Sequence, residues 1–229
     1  MGKCSDFPFV CKWTSGYISS DVVSFFMKIL EGVLAMQCGT SPIVGFRFSL
    51  YPMADDFVSI IKGALEETDT SAVWMHTDDV STVIRGKQAH VFNVAKALTL
   101  HAAKSGKHVA LSGTFSAGCP GDSAGDAYLE IDDELLNTDD TKQYVSSQFA
   151  LYPMNNPSYM EIIYREVDRA KEQGVFNESM HYASGIHGDI HDVFAFYEEA
   201  FTNARSEQHR HLVMTVSMSI NSPSHDGGR

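Results

Sequence analysis

Two stretches of this chain, "HVALSGTFS" (His108 to Ser116) and "HLVMTVSMS" (His211 to Ser219), carry hydroxyl residues at every second position. Ser112, Thr114 and Ser116 alternate with Val109, Leu111, Gly113 and Phe115, and Thr215, Ser217 and Ser219 alternate with Leu212, Met214, Val216 and Met218. Side chains alternate across a strand, so each run places three hydroxyls on one face, about 7 Å apart. Hydroxyls donate and accept without charge. They become nucleophiles only beside a base, and neither a G-x-S-x-G elbow nor a Cys-His signature supplies one. The chemistry that fits is recognition of a small molecule rather than its conversion.

A second pair of runs extends this face. In "FRFSLYPM" the outward positions are Arg47, Ser49 and Tyr51, and in "QFALYPM" they are Gln148, Ala150 and Tyr152, with Phe48, Leu50, Phe149 and Leu151 inward. Ser and Thr are ordinary on the solvent side of an antiparallel sheet. Here, however, Lys and Glu are missing from these outward positions and the tyrosine recurs in both copies. A polar, nearly uncharged face with a few hydrogen-bonding groups suits a small-molecule site.

Two other constellations could do chemistry. His187 and His191 in "HGDIHD" are four apart, a spacing that holds a metal on a helix. Gly188 interrupts that register and the other copy has Arg85 and Ala89 at the matching places, so a metal-dependent enzyme is the lesser alternative. The loop "GCPGDSAGD" is glycine-rich, but Asp122 and Asp126 would repel a phosphate and the P-loop pattern is absent. It reads as a turn helping to close a pocket for a neutral or cationic ligand.

The elements that must position these residues come as a duplication. Phe48 and Phe149 are 101 residues apart, Ile61 and Ile163 102, and His108 and His211 103, a drift that loop insertions produce. Each copy reads as strand, helix, strand, strand, helix, strand, the ferredoxin-like order, in which the last strand lies beside the first and both helices cover one face. The predicted class is α+β: a tandem duplication of a βαββαβ, ACT-like unit with antiparallel four-stranded sheets. The predicted domains are an N-terminal extension over 1–37, a first repeat over 38–122, an acidic linker over 123–145 and a second repeat over 146–229.

Composition bounds the function. A chain of 229 residues, 44% hydrophobic, buries ordinary cores, and a net charge of -12 argues against a nucleic-acid partner. The four cysteines form no C-x-x-C pair, consistent with free thiols in a reducing compartment. The apolar run "VVSFFMKILEGVLAM" carries Lys28 and Glu31 and is too short to span a bilayer. It reads first as a segment upstream of a functional start near Met36, then as an added helix, then as a poor export signal.

The stretches "CGTSPIVGFRFSLYPMADDFVSIIKGAL", "LSGTFSAGCPGD", "QFALYPMNNPSYMEII", "HYASGIHGDIHDVF" and "MTVSMSINSPS" resemble the YkoF family of thiamine- and hydroxymethylpyrimidine-binding proteins. The resemblance spans about Cys38 to Ser224, both copies in order, and leaves the N-terminal 35 residues without a counterpart. It implies two ferredoxin-like units per chain, a homodimer, a cytoplasmic binder without catalysis or cofactor, and a link to vitamin uptake beside an energy-coupling transporter. The residues carried over are those of the hydroxyl faces: Arg47, Ser49, Tyr51, Ser112, Thr114 and Ser116 in the first repeat, and Gln148, Tyr152, Thr215, Ser217 and Ser219 in the second. Hydroxyls and Gln148 can satisfy an aminopyrimidine, and the two tyrosines can flank its ring. Arg47 against Gln148 implies unequal sites, the second kinder to a thiazolium cation. The rival reading is an ACT-like regulatory or dimerisation module for another ligand.

Overall fold

The computed structural model describes residues 41–119, 126–206 and 211–224. The expected extension over 1–37 lies outside these. The first repeat runs β1 (Val44–Pro52), α1 (Phe57–Glu67), β2 (Trp74–Thr77), β3 (Thr82–Gly86), α2 (Gln88–Ala103) and β4 (Val109–Ala117). The second runs β5 (Tyr144–Pro153), α3 (Tyr159–Glu172), β6 (Phe176–Met180), β7 (Ala183–Asp189), α4 (Ile190–Ser206) and β8 (Leu212–Ile220). This is the predicted βαββαβ order twice, and β4 does lie beside β1, and β8 beside β5.

The two four-stranded sheets are not separate. β4 pairs antiparallel with β8, giving one eight-stranded sheet in the order β2-β3-β1-β4-β8-β5-β7-β6. Gly113 faces Val216 across that seam, and these two are repeat equivalents, so the local two-fold passes between them. One side of the sheet carries the buried set of Phe46, Phe115, Leu111, Met214 and Met218 against the helices. The opposite side bears the hydroxyls.

The helices form for the reasons their sequences give, with two departures. α1 and α3 begin at Phe57 and Tyr159, which the helical spacing of the apolar residues puts on the face of Ile60, Ile61, Ile162 and Ile163, yet these are about half exposed at 48% and 49%. They sit in the first turn of each helix, and Tyr159 lies on the rim of a cleft described below. The inward glutamate of α3, Glu166, is fully buried and is matched by Arg165 Nε at 3.3 Å and Arg169 Nε at 3.4 Å. α4 starts where Asp189 Oδ1 accepts the backbone N–H of His191, a side-chain cap on an otherwise orphaned donor.

The described part of the acidic segment after β4 packs as a belt along α2. Lys87 Nζ reaches Ile131 O and Asp133, His90 Nε2 lies 2.7 Å from Asp132 O, and Asn93 Nδ2 donates to Asn137 O. Lys104 pairs with Asp139 at 2.6 Å. The belt thereby covers the side of α2 that would otherwise be wet, and His90 and Asn93 are buried with their polar groups satisfied.

Candidate functional site

Register places the hydroxyl residues in rows across the repeat boundary. Ser49, Ser112, Ser217 and Gln148 are successive partners across β1, β4, β8 and β5, and Arg47, Thr114, Thr215 and Ala150 form the next row. Neighbouring strands are about 4.8 Å apart, so the two predicted patches are a single continuous polar face. It is open to solvent on the side away from the helices. Ser219 lies toward its end, in a crevice of about 360 Å³ shared with Tyr144, Ser146 and Asn221.

Two further clefts lie at the outer ends of β1 and β5. β1 pairs with β4 as far as Pro52, but its ladder with β3 ends at Phe48 opposite Thr82. Likewise β5 pairs with β8 as far as Pro153, while its ladder with β7 ends at Phe149 opposite Ser184. Beyond those points each opening strand has, among the described residues, no strand partner on one edge. Every second residue there points its N–H and C=O into the gap. The gap is closed by the first helix on one side and by the tip of the β2–β3 or β6–β7 hairpin on the other.

The result is one cleft per repeat, at equivalent positions. Phe48, Leu50, Tyr51 and Ile61 line the first, and Phe149, Leu151, Tyr152 and Ile163 line the second. Their volumes differ greatly, about 190 Å³ against about 850 Å³. The second is apolar and aromatic, with Met154, Met160 and Met180 around it and Tyr182 on its lip. Tyr182 is 96% exposed and holds φ of 69°, a conformation that a bulky residue rarely adopts outside a constrained turn.

The first cleft is bordered by acids, Asp78 and Asp79. Arg47 Nη1 donates to Asp78 Oδ2 and to Ser81 Oγ, both at 2.7 Å, and Ser49 Oγ donates to Val80 O at 3.0 Å. The Arg47 guanidinium and the Val80 and Ser81 N–H groups hold the Asp78 carboxyl well below its ordinary range. The charge of Arg47 is matched here by Asp78, with Asp79 beside it on the rim.

The predicted residues divide accordingly. Ser49 and Tyr51 line the first cleft and Tyr152 the second. Arg47 acts on the hairpin tip, while Gln148, Ser112, Thr114, Ser116, Thr215 and Ser217 lie on the open face between the clefts. The hairpin-tip residues, Asp78 to Ser81 and Met180 to Tyr182, escaped sequence reasoning, because "HTDDVS" and "SMHYAS" share almost nothing. Their signal was positional: each follows the strand after a duplicated helix.

The histidine pair does not converge. His187 is on β7 and His191 in the first turn of α4, separated by Gly188 at φ 146°. His191 Nε2 lies 3.1 Å from Thr141 O. Among the described residues, no three His, Cys, Asp or Glu side chains gather as a metal site. Nor is any described helix long and apolar enough to cross a membrane.

Comparison with known proteins agrees with the duplication. A family model described as "YKOF-related Family" matches residues 43–122 and again 144–225. The chain is 56% identical over 190 residues to a Bacillus subtilis (strain 168) protein named "Putative HMP/thiamine-binding protein YkoF", covering 82% of this chain and 94% of that relative. A match of this length in both repeats places the chain in the YkoF-related family.

Proposed function

We propose that the chain binds thiamine and its pyrimidine precursor hydroxymethylpyrimidine, one molecule in each cleft, as a binding protein and not as an enzyme. The observation that carries this reading is the free edge of β1 and of β5 inside two equivalent clefts. A free strand edge offers a backbone donor beside a backbone acceptor. An aminopyrimidine has the complement, a ring nitrogen that accepts beside an amine that donates. The apolar flanks, Phe48, Leu50 and Ile61 or Phe149, Leu151 and Ile163, suit the ring faces, and Tyr51 or Tyr152 stands at the mouth. The relative's name, which refers to HMP and thiamine, supports the same ligand class.

The reading extends to a homodimer in which the open polar sheet face is covered by a second copy. It extends also to a cytoplasmic role in uptake or salvage, alongside an energy-coupling transporter. The hydroxyl rows then serve the interface and the ends of the clefts rather than two separate pockets.

The test is thermal unfolding with and without thiamine, thiamine phosphates and hydroxymethylpyrimidine, followed by calorimetry. A ligand that binds only the native state raises the midpoint. Two binding events of unequal affinity are expected. No midpoint shift and no heat with any of these compounds would overturn the reading.

A further inference from the structure

The two clefts are equivalent in position but differ severalfold in volume, and two parts of the lining differ: the loop from Met154 to Pro157 lines the second cleft while 53–56 do not line the first, and the hairpin tips are unlike. In the first repeat the tip is the four-residue loop Asp78 to Ser81, and three side-chain bonds from β1 tie it down: Arg47 to Asp78, Arg47 to Ser81 and Ser49 to Val80. Within the loop, Asp78 Oδ1 accepts the N–H groups of Val80 and Ser81, both at 2.9 Å, which stiffens the part being held. The second repeat has Gln148 and Ala150 at the places of Arg47 and Ser49, and a two-residue tip, His181-Tyr182, without an acid.

We infer that the Arg47–Asp78 clamp is the size filter of the first cleft. Clamped, that cleft takes a single small ring, while the unclamped second cleft takes a two-ring ligand. The inference rests on the binding reading above, and adds to it the residue pair that makes the sites differ in what they accept. At about 190 Å³ the first cleft falls below the range that usually encloses a drug-sized molecule, and at about 850 Å³ the second falls within it. The clamp is exposed, with side-chain accessibilities of 53% and 38%, so it opens at modest cost and weakens with salt. A ligand larger than one ring therefore enters the first cleft at an affinity reduced by the cost of opening it.

The decisive variant is Arg47→Gln with Asp78→Asn, which removes the clamp while leaving the net charge unchanged. The readout is methyl NMR of the full chain titrated with thiamine and, separately, with hydroxymethylpyrimidine. Ile61 reports the first cleft and Ile163 the second. The double variant is expected to tighten thiamine at Ile61 about three- to fivefold, the scale of an exposed ion pair. Both ligands at Ile163 should stay within about twofold, the scatter expected of an untouched site, and hydroxymethylpyrimidine at Ile61 should gain less than thiamine, so that the affinity ratio at Ile61 shifts toward thiamine. Faster amide exchange at Val80 and Ser81 in the variant confirms that the tip has been released in a folded protein. If both ligands titrate Ile61 in the double variant with the wild-type affinity ratio, the size filter is wrong. A gain in Arg47→Gln that vanishes in the double variant would show a charge effect and overturn it equally. If neither ligand moves Ile61 or Ile163 in the wild type, it is the binding reading that fails.

Discussion

His108 Nε2 lies 2.9 Å from Ser219 Oγ, and their repeat images, His211 Nε2 and Ser116 Oγ, lie 3.2 Å apart. Each pair crosses the β4–β8 seam. The backbone carbonyl of each histidine also accepts the N–H of the methionine that closes its own "LYPM" stretch: Met53 to His108 and Met154 to His211, at 2.8 and 2.9 Å. Each histidine thus ties the end of its own cleft-forming strand to the other repeat. The seam is not only a backbone ladder but is pinned at both ends.

Removing one pin should loosen the seam without unfolding a repeat. His108→Ala and His211→Ala are each expected to cost about 1 kcal/mol, the net worth of one partly buried hydrogen bond. The two sites sit at opposite ends of β4, so their effects should add. Urea unfolding of the singles and the double checks this. A double variant as stable as the wild type would refute the pinning role.

Gly113 has no room for a methyl group. A Cβ built there would lie 2.4 Å from Cε2 and 2.5 Å from Cζ of Phe46, whose ring stacks on Phe115 at 3.9 Å. Phe115 in turn stacks on Phe92 at 4.2 Å. The ring column is rigid on both sides, so Gly113→Ala should cost about 1–3 kcal/mol by overpacking. The denaturation midpoint of this variant is the measurement, and a neutral result would mean the column can shift.

The elements were legible from sequence because each signal occurs twice. Alternation in β1 and β4 recurs in β5 and β8, and the helical pair Ile60-Ile61 recurs as Ile162-Ile163, at nearly constant offset, so chance patterns cancel. The continuous sheet was not legible, since nothing in "LSGTFS" or "TVSMS" says which strand edge meets which. The belt was hidden for another reason. Its residues are acidic and polar, as a solvated linker's would be, and only the buried His90 and Asn93 of α2 reveal that it has a docking surface. The hydroxyl face was legible in the alternation, but the two clefts at its ends were not. A cleft made by a ladder that stops early, at Phe48 and at Phe149, leaves no compositional trace.

Stability should fall on mild acidification through His101. Its side chain is 9% exposed and lies between Glu67, Lys104 and Asp139. Burial, with the Lys104 ammonium second, holds the imidazole below its ordinary value of 6.5, against the opposing pull of Glu67 and Asp139. The unfolded chain therefore binds a proton that the folded one refuses. The contribution is intact above about pH 6.5 and is lost as pH falls from there toward the folded value. Comparing urea midpoints at pH 7.5 and 5.5, the wild type should lose more stability than His101→Gln. Equal losses would remove His101 from the account.

The two cores solve one packing problem in opposite ways. Where the first repeat has Phe46 on β1 and Ala95 on α2, the second has Ser147 on β5 and Tyr197 on α4. Bulk has moved from strand to helix. Tyr197 is fully buried, its phenol is pushed up by desolvation, and its hydroxyl bonds Ser147 Oγ, which also donates to Ser217 O at 2.8 Å. Ser147→Ala leaves the phenol hydroxyl without that partner and should cost about 1–3 kcal/mol, whereas Ser147→Ala with Tyr197→Phe removes both polar groups and should recover most of it. Ser147→Phe alone should overpack against Tyr197, and adding Tyr197→Ala should rescue it by restoring the first repeat's arrangement. Unfolding free energies of these four variants, together with the single variants Tyr197→Phe and Tyr197→Ala, form two cycles. Additive behaviour in both would show that the residues act independently, and that the exchange of bulk between repeats is not a compensation.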